Sequence, residues 1–317
     1  MLVLLGPTGT GKSTIAHRCA FRFMGEVVGF DSIQVYRKLN VGTSKPLPEW
    51  RREVRHHCVE IADPEEEFSL GDYVRAAERA IEGIRSRNAV PILAGGTGLY
   101  LRGILQGVLS LPTRDPALRE RLNRLADRQQ SGYLHGLLTR WDPISARRIL
   151  PGDRQRLIRA LEVFWKSGFP LGEQIDRWGS RTDRYPNIKV GLTMRREQLY
   201  EILDRRVRKF FASDLIGEIR QILRDGCPAE ANSLKAIGYR EALEYLQGKV
   251  TREEAIRRAQ QGTRNYAKRQ WTWFRKMKGI RWFPVDDGLD AVWRDIVAFL
   301  EMELEPTRRI SRITERR

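Results

Sequence analysis

The sequence contains few cysteines and histidines. Three cysteines, Cys19, Cys58 and Cys227, and four histidines stand among 317 residues. The odd number of cysteines and the lack of a CxxC pair leave no disulfide framework or zinc finger to be read from the sequence. His56 and His57 are adjacent but have no second ligand cluster, so the pattern does not indicate a metal site there.

Long apolar runs are also missing. The longest run without a charged residue, 88–101, has 14 residues and contains one proline and three glycines, whereas a membrane helix needs about 20 apolar residues. The N-terminus shows no basic segment followed by a cleavage site, because the first apolar residues run directly into a glycine-rich loop. We therefore expect a cytoplasmic protein without a membrane segment.

Acidic residues are too few to balance the basic ones. Lys and Arg number 57 and Asp and Glu number 40, which gives a formal net charge of +17 at pH 7. Such an excess makes the protein repel itself, and it favours a polyanionic partner, nucleic acid in particular. A charged surface that serves solubility alone is the alternative.

Short apolar segments separated by helical stretches predict a parallel sheet. The predicted strands are Leu2–Leu5, Val27–Phe30, Cys58–Ile61, Val90–Ala94, Ile188–Leu192 and Ile280–Val285. Between Pro112 and Pro186 no strand is predicted, and prolines separate several helical segments. The predicted fold class is α/β: a P-loop-type parallel sheet with flanking helices plus an all-helical insertion domain.

The same patterns predict the domain organisation. The first part of the core covers 1–111, the helical insertion 112–187, and the second part of the core, with basic helices, 188–305. A basic tail over 306–317 is expected to be frayed. Within the second part of the core, helices are predicted over 195–211, 214–224, 235–246 and 252–277.

A glycine-rich loop follows the first strand and fits GxxxxGK[ST] at every fixed position. It consists of Gly6, Pro7, Thr8, Gly9, Thr10, Gly11, Lys12 and Ser13. Its backbone N–H groups can surround phosphate oxygens, and the helix that follows adds its positive end. Lys12 supplies a full charge, and Ser13 can ligate Mg²⁺. The motif predicts diphosphate or triphosphate binding but not which compound; a chance glycine turn is the alternative.

A nucleotide-hydrolysing P-loop protein usually has an acidic residue at the end of a second strand. Here the strand Val90–Ala94 runs into Gly95-Gly96-Thr97-Gly98 without a carboxylate, and no NKxD-type motif occurs. A motor protein or a GTPase is therefore disfavoured.

Asp31 follows the second strand, and ligands of open parallel sheets bind at the carboxyl ends of strands. We expect Asp31 beside the phosphate loop; a turn cap is the alternative.

Several collinear motifs resemble the bacterial tRNA dimethylallyltransferases (tRNA isopentenyltransferases). The motifs are the loop 6–13 and the segments 31–36, 41–46, 90–100, 156–163, 236–239, 266–270 and 273–275. Small departures occur at Gly9-Thr10 and Leu39-Asn40, and neither removes a charged catalytic group. The zinc finger of eukaryotic members is absent, which favours the bacterial type.

The resemblance implies transfer of a dimethylallyl group from dimethylallyl diphosphate to N6 of the adenosine at tRNA position 37, next to the anticodon, with release of diphosphate. The phosphate loop, Arg206 and a Mg²⁺ bound through Ser13 would stabilise the leaving diphosphate. Asp31 is the expected general base at the amine, and Lys12 and Thr97 complete the catalytic set. A helix N-cap is the alternative for Thr97, and a solvent-facing charge for Arg206.

The expected partner is the anticodon stem-loop of tRNA, bound by a monomer without an obligate protein partner. The helix 252–277 presents Arg257, Arg264, Lys268 and Arg275 on one face without acidic partners, which favours contacts with phosphates over a merely solvated face. Trp165 and Trp273 are expected in the core. Residues expected to contact tRNA are Asp31, Ser32, Ile33, Gln34, Thr97, Arg119, Gln155, Arg156, Leu157, Ile158, Arg159, Lys235, Gly238, Tyr239, Arg240, Arg264 and Lys268.

Two other functions remain open at this point. A P-loop small-molecule or nucleotide kinase would share the phosphate loop, the sheet and the aspartate, but it does not explain the charge of +17 or the basic helix. An RNA-binding module with an inactive phosphate loop is the second, and the intact Lys12, Ser13 and Asp31 argue against it.

Overall fold

We analysed a computed structural model that describes residues 1–314, with side chains through 304. The chain forms two compact units, one from Met1–Ile104 together with the chain from Tyr185 onward, and one from Leu105–Arg184. The predicted insertion, 112–187, begins later and ends slightly later than the second unit. The predicted basic tail at 306–317 lies outside the residues whose side chains are described.

The first unit contains a six-stranded parallel sheet in the order β3-β2-β4-β1-β5-β6. The strands are β1 (Leu2–Leu5), β2 (Gly25–Phe30), β3 (His56–His57), β4 (Val90–Gly95), β5 (Ile188–Thr193) and β6 (Ile280–Pro284). All four residues of β1 are buried, because this strand lies between β4 and β5 and helices cover the sheet. The described residues of the second unit form helices only, so the predicted fold class is confirmed.

Helices account for most of the remaining chain. They are α1 (Lys12–Phe23), α2 (Pro48–Glu53), α3 (Leu70–Ser86), α4 (Gly98–Gln106), α5 (Pro116–Arg128), α6 (Tyr133–Trp141), α7 (Pro143–Ala146), α8 (Arg154–Ser167), α9 (Leu171–Gly179), α10 (Arg196–Ala212), α11 (Leu215–Arg224), α12 (Tyr239–Leu246), α13 (Arg252–Phe274) and α14 (Leu289–Thr314). The helix predicted from 235 begins only at Tyr239, because Gly238 has a φ of 95° and interrupts the helical backbone.

The third strand differs from its prediction. Pairing with β2 occurs at His56 and His57, not over Cys58–Ile61. Cys58 and Glu60 have φ values of 59° and 57°, which no regular strand accommodates. The apolar composition of the segment is explained by burial of Cys58 in a turn that leaves the sheet.

Two tryptophans expected in the core behave differently. Trp165 is 41% exposed, so the expectation for it is wrong. Its neighbours on α8, Leu157, Leu161 and Val163, form the core of the second unit instead. Trp273 is partly buried and packs under the Arg102 guanidinium, 4.6 Å from the ring centroid.

None of the helices in the described part of the chain combines the length and the hydrophobicity needed to cross a membrane.

Candidate functional site

The carboxyl ends of three neighbouring strands carry the predicted site. β1 ends at Leu5 and continues into the phosphate loop, β2 ends at Phe30 and continues into Asp31, and β4 ends at Gly95 and continues into Gly96 and Thr97. Since all strands run parallel, these three loops meet at one edge of the sheet.

The phosphate loop is closely bound to its own backbone. The Lys12 Nζ donates to the Pro7 carbonyl at 2.7 Å, and the Thr10 hydroxyl donates to the same oxygen at 2.9 Å. Gly6 has a φ of 139°, and a Cβ there would lie 2.3 Å from the Leu192 carbonyl oxygen of β5. Only glycine allows this approach of the loop to the sheet.

Burial lowers the pKa of Lys12 to about 7. The nearby Asp31 carboxylate raises this pKa and the Arg206 guanidinium lowers it further. A buried cation with too little negative charge around it is favourably placed to receive an anion. The electrostatics of the loop therefore suit a diphosphate.

Arg206 reaches the phosphate loop from α10. Its Nη1 donates to the Thr8 hydroxyl at 3.2 Å, and the guanidinium lies 5.2 Å from the centroid of the Phe210 ring. Burial also lowers the pKa of Arg206. Arg206 is thus a partly buried charge beside the loop, and its alternative interpretation as a solvent-facing helix charge does not fit.

Asp31 has one engaged oxygen and one free oxygen. Oδ1 accepts from the backbone N–H groups of Ile33 and Gln34, at 2.9 and 3.3 Å. Oδ2 has no hydrogen-bond partner among the described residues. The turn-cap interpretation is therefore correct for one oxygen, and the other oxygen remains available for a proton.

Thr97 joins the end of β4 to the loop after β2. Its hydroxyl accepts from the Ser32 N–H at 3.0 Å and donates to the Ser32 Oγ at 3.4 Å. The side chain therefore bonds to Ser32 rather than capping α4. Tyr266 on α13 lies nearby, and burial together with the Asp31 charge raises the pKa of Tyr266 to about 12.

The Gln34 side chain hydrogen-bonds to the backbone of the loop that follows it. Its Nε2 donates to the carbonyl oxygens of Thr43 and Ser44, both at 3.0 Å. The donor half of its amide is thus occupied, and only Oε1 is left for a substrate. A contact of this side chain with tRNA, which the family resemblance implies, would therefore use Oε1 as an acceptor.

Several other residues expected to contact tRNA have structural partners. Tyr239 is fully buried; its hydroxyl donates to the Glu218 Oε1 at 2.6 Å and accepts from the Gly42 N–H at 3.1 Å. The Gly238 N–H donates to the Glu241 carboxylate at 2.7 Å. Lys235 and Arg240 are exposed near them and remain candidates for RNA contacts, with Lys235 bonded to the Asn232 side chain and Arg240 to Glu241.

In the second unit, Arg119 and Arg159 both bind one buried carboxylate. The Arg119 Nε lies 2.9 Å from the Glu162 Oε1, and the Arg159 Nη1 lies 2.6 Å from the Glu162 Oε2. Burial opposes the charge, but these two cations and the Asp115 N–H lower the pKa of Glu162 to about 2. Arg119 thereby joins α5 to α8, whereas Arg159 and Glu162 both lie on α8.

The four other insertion residues divide by exposure. The side chains of Leu157 and Ile158 are 1% and 4% exposed and belong to the core of the second unit. Their side chains are therefore not exposed to an RNA, and the contact of this segment with tRNA stays a prediction. Gln155 and Arg156, in the first turn of α8, are exposed, and this is the part of the helix that an RNA could reach.

The basic face of α13 has acidic partners that were not expected. Arg257 binds Glu254 with 2.8 Å between Nε and Oε2, and Arg264 binds Asp204 of α10 with 2.6 Å between Nη1 and Oδ2. Lys268 and Arg275 are exposed and have no acidic partner among the described residues. The prediction of four unpaired cations is thus wrong for two of them.

The residues that sequence reasoning missed are polar side chains that connect these loops. Gln270 joins the phosphate loop to Gly96, and Glu218 accepts from the backbone N–H groups of Asn40 and Val41. Gln270 and Tyr266 lie within a motif of the family resemblance, so that motif was the available indication. No comparable pattern indicated Glu218.

The residues present fit a Mg²⁺ that is held partly by its substrate. No group of three or more His, Cys, Asp or Glu side chains in the described chain could hold a metal ion by itself. The Ser13 hydroxyl, at the start of α1, is exposed and has no hydrogen-bond partner among the described residues. One protein oxygen combined with phosphate oxygens and water is a common Mg²⁺ environment.

Comparisons with known proteins show the family to which the chain is related. The sequence profile of the IPP transferase family matches residues 34–277. The chain is 42% identical over 286 residues to a tRNA dimethylallyltransferase from Koribacter versatilis, covering 89% of this chain and 92% of that protein. It is 39% identical over 305 residues to one from Desulforudis audaxviator, covering 96% and 98%.

Solved structures are similar over most of the chain. The tRNA isopentenylpyrophosphate transferase from Bacillus halodurans has a TM-score of 0.73 at 35% identity, with 98% of both chains covered. A eukaryotic dimethylallyltransferase acting on tRNA has a TM-score of 0.73 at 28% identity, covering 90% of this chain and 74% of that one. By its sequence profile, its relatives and its fold, the chain belongs to the family of tRNA dimethylallyltransferases, the IPP transferases.

Proposed function

We propose that this protein transfers a dimethylallyl group from dimethylallyl diphosphate to N6 of the adenosine at tRNA position 37 and releases diphosphate. The observation that carries the proposal is that Lys12 and Asp31 follow strands of one parallel sheet at the same edge, which places a buried cation of the phosphate loop near a carboxylate. The family of the chain supplies the reaction class.

The donor side of the site would bind the diphosphate. Lys12, Arg206 and the N–H groups of the phosphate loop offer preorganised positive potential where negative charge develops as the C1–O bond breaks. A Mg²⁺ bound through Ser13 and the diphosphate oxygens would neutralise part of that charge. The loop would thus hold a prenyl diphosphate rather than a nucleoside triphosphate.

The acceptor side must remove a proton from a weakly basic amine. As the bond between N6 and C1 forms, one N6 proton passes to the free Oδ2 of Asp31. Because Oδ1 is fixed by two backbone N–H groups, the orientation of the carboxylate is set before the substrate binds. The adenine has to leave its stack in the anticodon loop to reach this point.

The finer features of the partners and the location are part of the proposal. The anticodon stem-loop would be bound by exposed cations, of which Lys268, Arg275, Lys235 and Arg156 are candidates. The net charge of +17 supports a polyanionic partner. We propose that the protein acts as a monomer in the cytoplasm without an obligate protein partner.

The test is a transfer assay with competing substrates. Purified protein is incubated with Mg²⁺, labelled dimethylallyl diphosphate and tRNA from a strain that lacks N6-prenyladenosine; parallel reactions contain ATP with nucleosides. We expect label in tRNA, mapped by nuclease digestion and mass spectrometry to position 37, and none with Lys12→Met. Phosphorylation of a small molecule from ATP, without prenylation of tRNA, would overturn the proposal in favour of the kinase.

A further inference from the structure

Gln270 of α13 reaches from the basic helix into the site. Its side chain is 4% exposed. Oε1 accepts from the Thr8 N–H of the phosphate loop at 2.8 Å, and Nε2 donates to the Gly96 carbonyl after β4 at 2.9 Å. One amide therefore spans two loops that are 88 residues apart in sequence.

This bridge has a single favourable orientation. A reversed amide would place its donor against the Thr8 N–H and its acceptor against the Gly96 carbonyl. A Cβ on Gly96 would lie 2.1 Å from the Gln270 Nε2, so the close approach requires glycine. Thr8 is held from a second direction, because its hydroxyl accepts from Arg206.

The same face of α13 also contacts the acceptor side. Tyr266, one turn before Gln270, has its hydroxyl beside Thr97 and Gln270, whose polar side chains lower the pKa of that hydroxyl against the effect of burial. Thr97 in turn accepts from the Ser32 N–H, in the segment that follows Asp31. Gln270 of α13 thus links the phosphate loop to Gly96, and the next residue, Thr97, is bonded to the loop that carries Asp31.

We propose that Gln270 is a positioning residue that holds the phosphate loop in register with the loops that carry Thr97 and Asp31. Its effect on the phosphate loop stands by itself, whereas its effect on turnover rests on the proposed function. Gln270 touches neither the donor nor the acceptor: it sets the distance between the leaving diphosphate and the attacking amine. Misalignment of that kind lowers the rate of bond formation even when both substrates bind.

The first test removes both hydrogen bonds. Gln270→Met keeps the length of the side chain but leaves the partly buried Thr8 N–H and the buried Gly96 carbonyl without their partner. We expect the affinity for inorganic pyrophosphate with Mg²⁺, measured by calorimetry, to fall about tenfold, and the single-turnover prenylation rate to fall by more than the affinity. Circular dichroism and thermal unfolding establish that the variant is folded.

The second test depends on a proton. In Gln270→Glu a carboxylate can accept from Thr8 but cannot donate to Gly96, whereas a protonated carboxyl can do both. Burial raises the pKa of such a carboxyl. We therefore expect the ratio of variant to wild-type single-turnover rates to rise at least threefold as the pH falls from 8 to 6, which a merely structural defect would not produce.

The matched control is Gln247→Glu at the exposed end of α12. It adds the same charge, and its ratio of variant to wild-type single-turnover rates should not change with pH.

Gly96→Ala disturbs the same bridge at the Gly96 carbonyl. If Gln270 acts through Gly96, the double variant Gly96→Ala/Gln270→Met should bind pyrophosphate no more weakly than the poorer single variant.

Wild-type affinity for pyrophosphate and a wild-type rate in Gln270→Met would overturn the inference, as would a ratio for Gln270→Glu that is flat with pH. The two proposals fail in different ways. If the wild-type protein does not prenylate tRNA, the proposed function is wrong, and the loss of pyrophosphate affinity in Gln270→Met still decides whether Gln270 holds the phosphate loop.

Discussion

Arg264 on α13 binds Asp204 on α10 through a contact of 2.6 Å between Nη1 and Oδ2. Both side chains are about one quarter exposed, at 24% each. The pair lies between two helices, so the charge of Arg264 is already compensated within the protein. Cations that are free to bind an RNA phosphate must therefore be sought elsewhere on this helix.

Lys268 and Arg257 should differ in their contribution to tRNA binding. Lys268 is exposed without an acidic partner among the described residues, whereas Arg257 is paired with Glu254. We expect Lys268→Ala to lower tRNA affinity and to reduce the slope of log K against log salt by about 1. Arg257→Ala is the control and should leave the slope nearly unchanged; filter binding at four salt concentrations measures both. Equal slopes for Lys268→Ala and the wild type would remove Lys268 from the interface.

Removing the free carboxylate oxygen should affect chemistry far more than binding. In Asp31→Asn the amide oxygen can still accept from Ile33 and Gln34, so the turn is retained, but the proton acceptor is lost. We expect the single-turnover rate to fall at least ~100-fold, with tRNA affinity within about twofold of the wild type. The exposed Asp287→Asn serves as the control for charge. An unchanged rate in Asp31→Asn would exclude this residue as the base.

Pyrophosphate binding should take up a proton at alkaline pH. The pKa of Lys12 is lowered to about 7, so above that pH most of the free protein carries a neutral amine. A bound polyanion stabilises the charged amine and raises its pKa, and affinity should therefore decrease as pH rises from 7 to 9. Calorimetry in two buffers of different ionisation enthalpy measures the proton uptake.

Lys12→Met supplies the comparison for this effect. It should bind pyrophosphate weakly at every pH, and its remaining pH dependence is that of pyrophosphate itself. A wild-type protein with the same proton uptake as Lys12→Met would show that Lys12 stays charged throughout.

The carboxylate between Arg119 and Arg159 should dominate the stability of the second unit. Glu162 is fully buried, and Glu162→Gln leaves two cations without their counter-charge, which costs roughly 3 kcal/mol or more of unfolding free energy. The folded pKa of Glu162, about 2, lies below its ordinary value of 4.5. Its contribution is therefore present above pH 4.5 and is lost as the pH falls toward 2.

Hydrogen exchange across 105–184 and urea unfolding are suitable measurements for this variant. Glu120→Gln on the exposed side of α5 removes only a surface pair with Arg124 and should change the unfolding free energy by less than about 0.5 kcal/mol. Exchange protection in Glu162→Gln equal to that of the wild type would contradict the assignment.

The sequence patterns of neighbouring residues were sufficient to predict the phosphate loop and the strand and helix on either side of it. The phosphate loop follows an apolar strand and precedes a helix, so its position was predictable from neighbouring residues alone. The position of the third strand was not predictable in this way, because Cys58 and Glu60 have positive φ values and form a turn. The Glu60 carboxylate in this turn binds Lys45 and Arg51. The spacing of apolar residues in the sequence does not indicate ion pairs of this kind.

Contacts across long stretches of sequence explain the remaining differences. Asp204 on α10 binds Arg264, which was predicted to have no acidic partner, and the bond between Thr8 and Gln270 joins residues 262 positions apart. Side-chain partnership of this kind depends on the packed structure.

The position of β1 within the sheet has a consequence for how the protein is made. Its partners are β4 on one edge and β5 on the other, and β5 begins only at Ile188. A ribosome must therefore release the chain as far as β5 before the first strand is paired on both sides. Until then its open edge is a site for mispairing with other nascent chains.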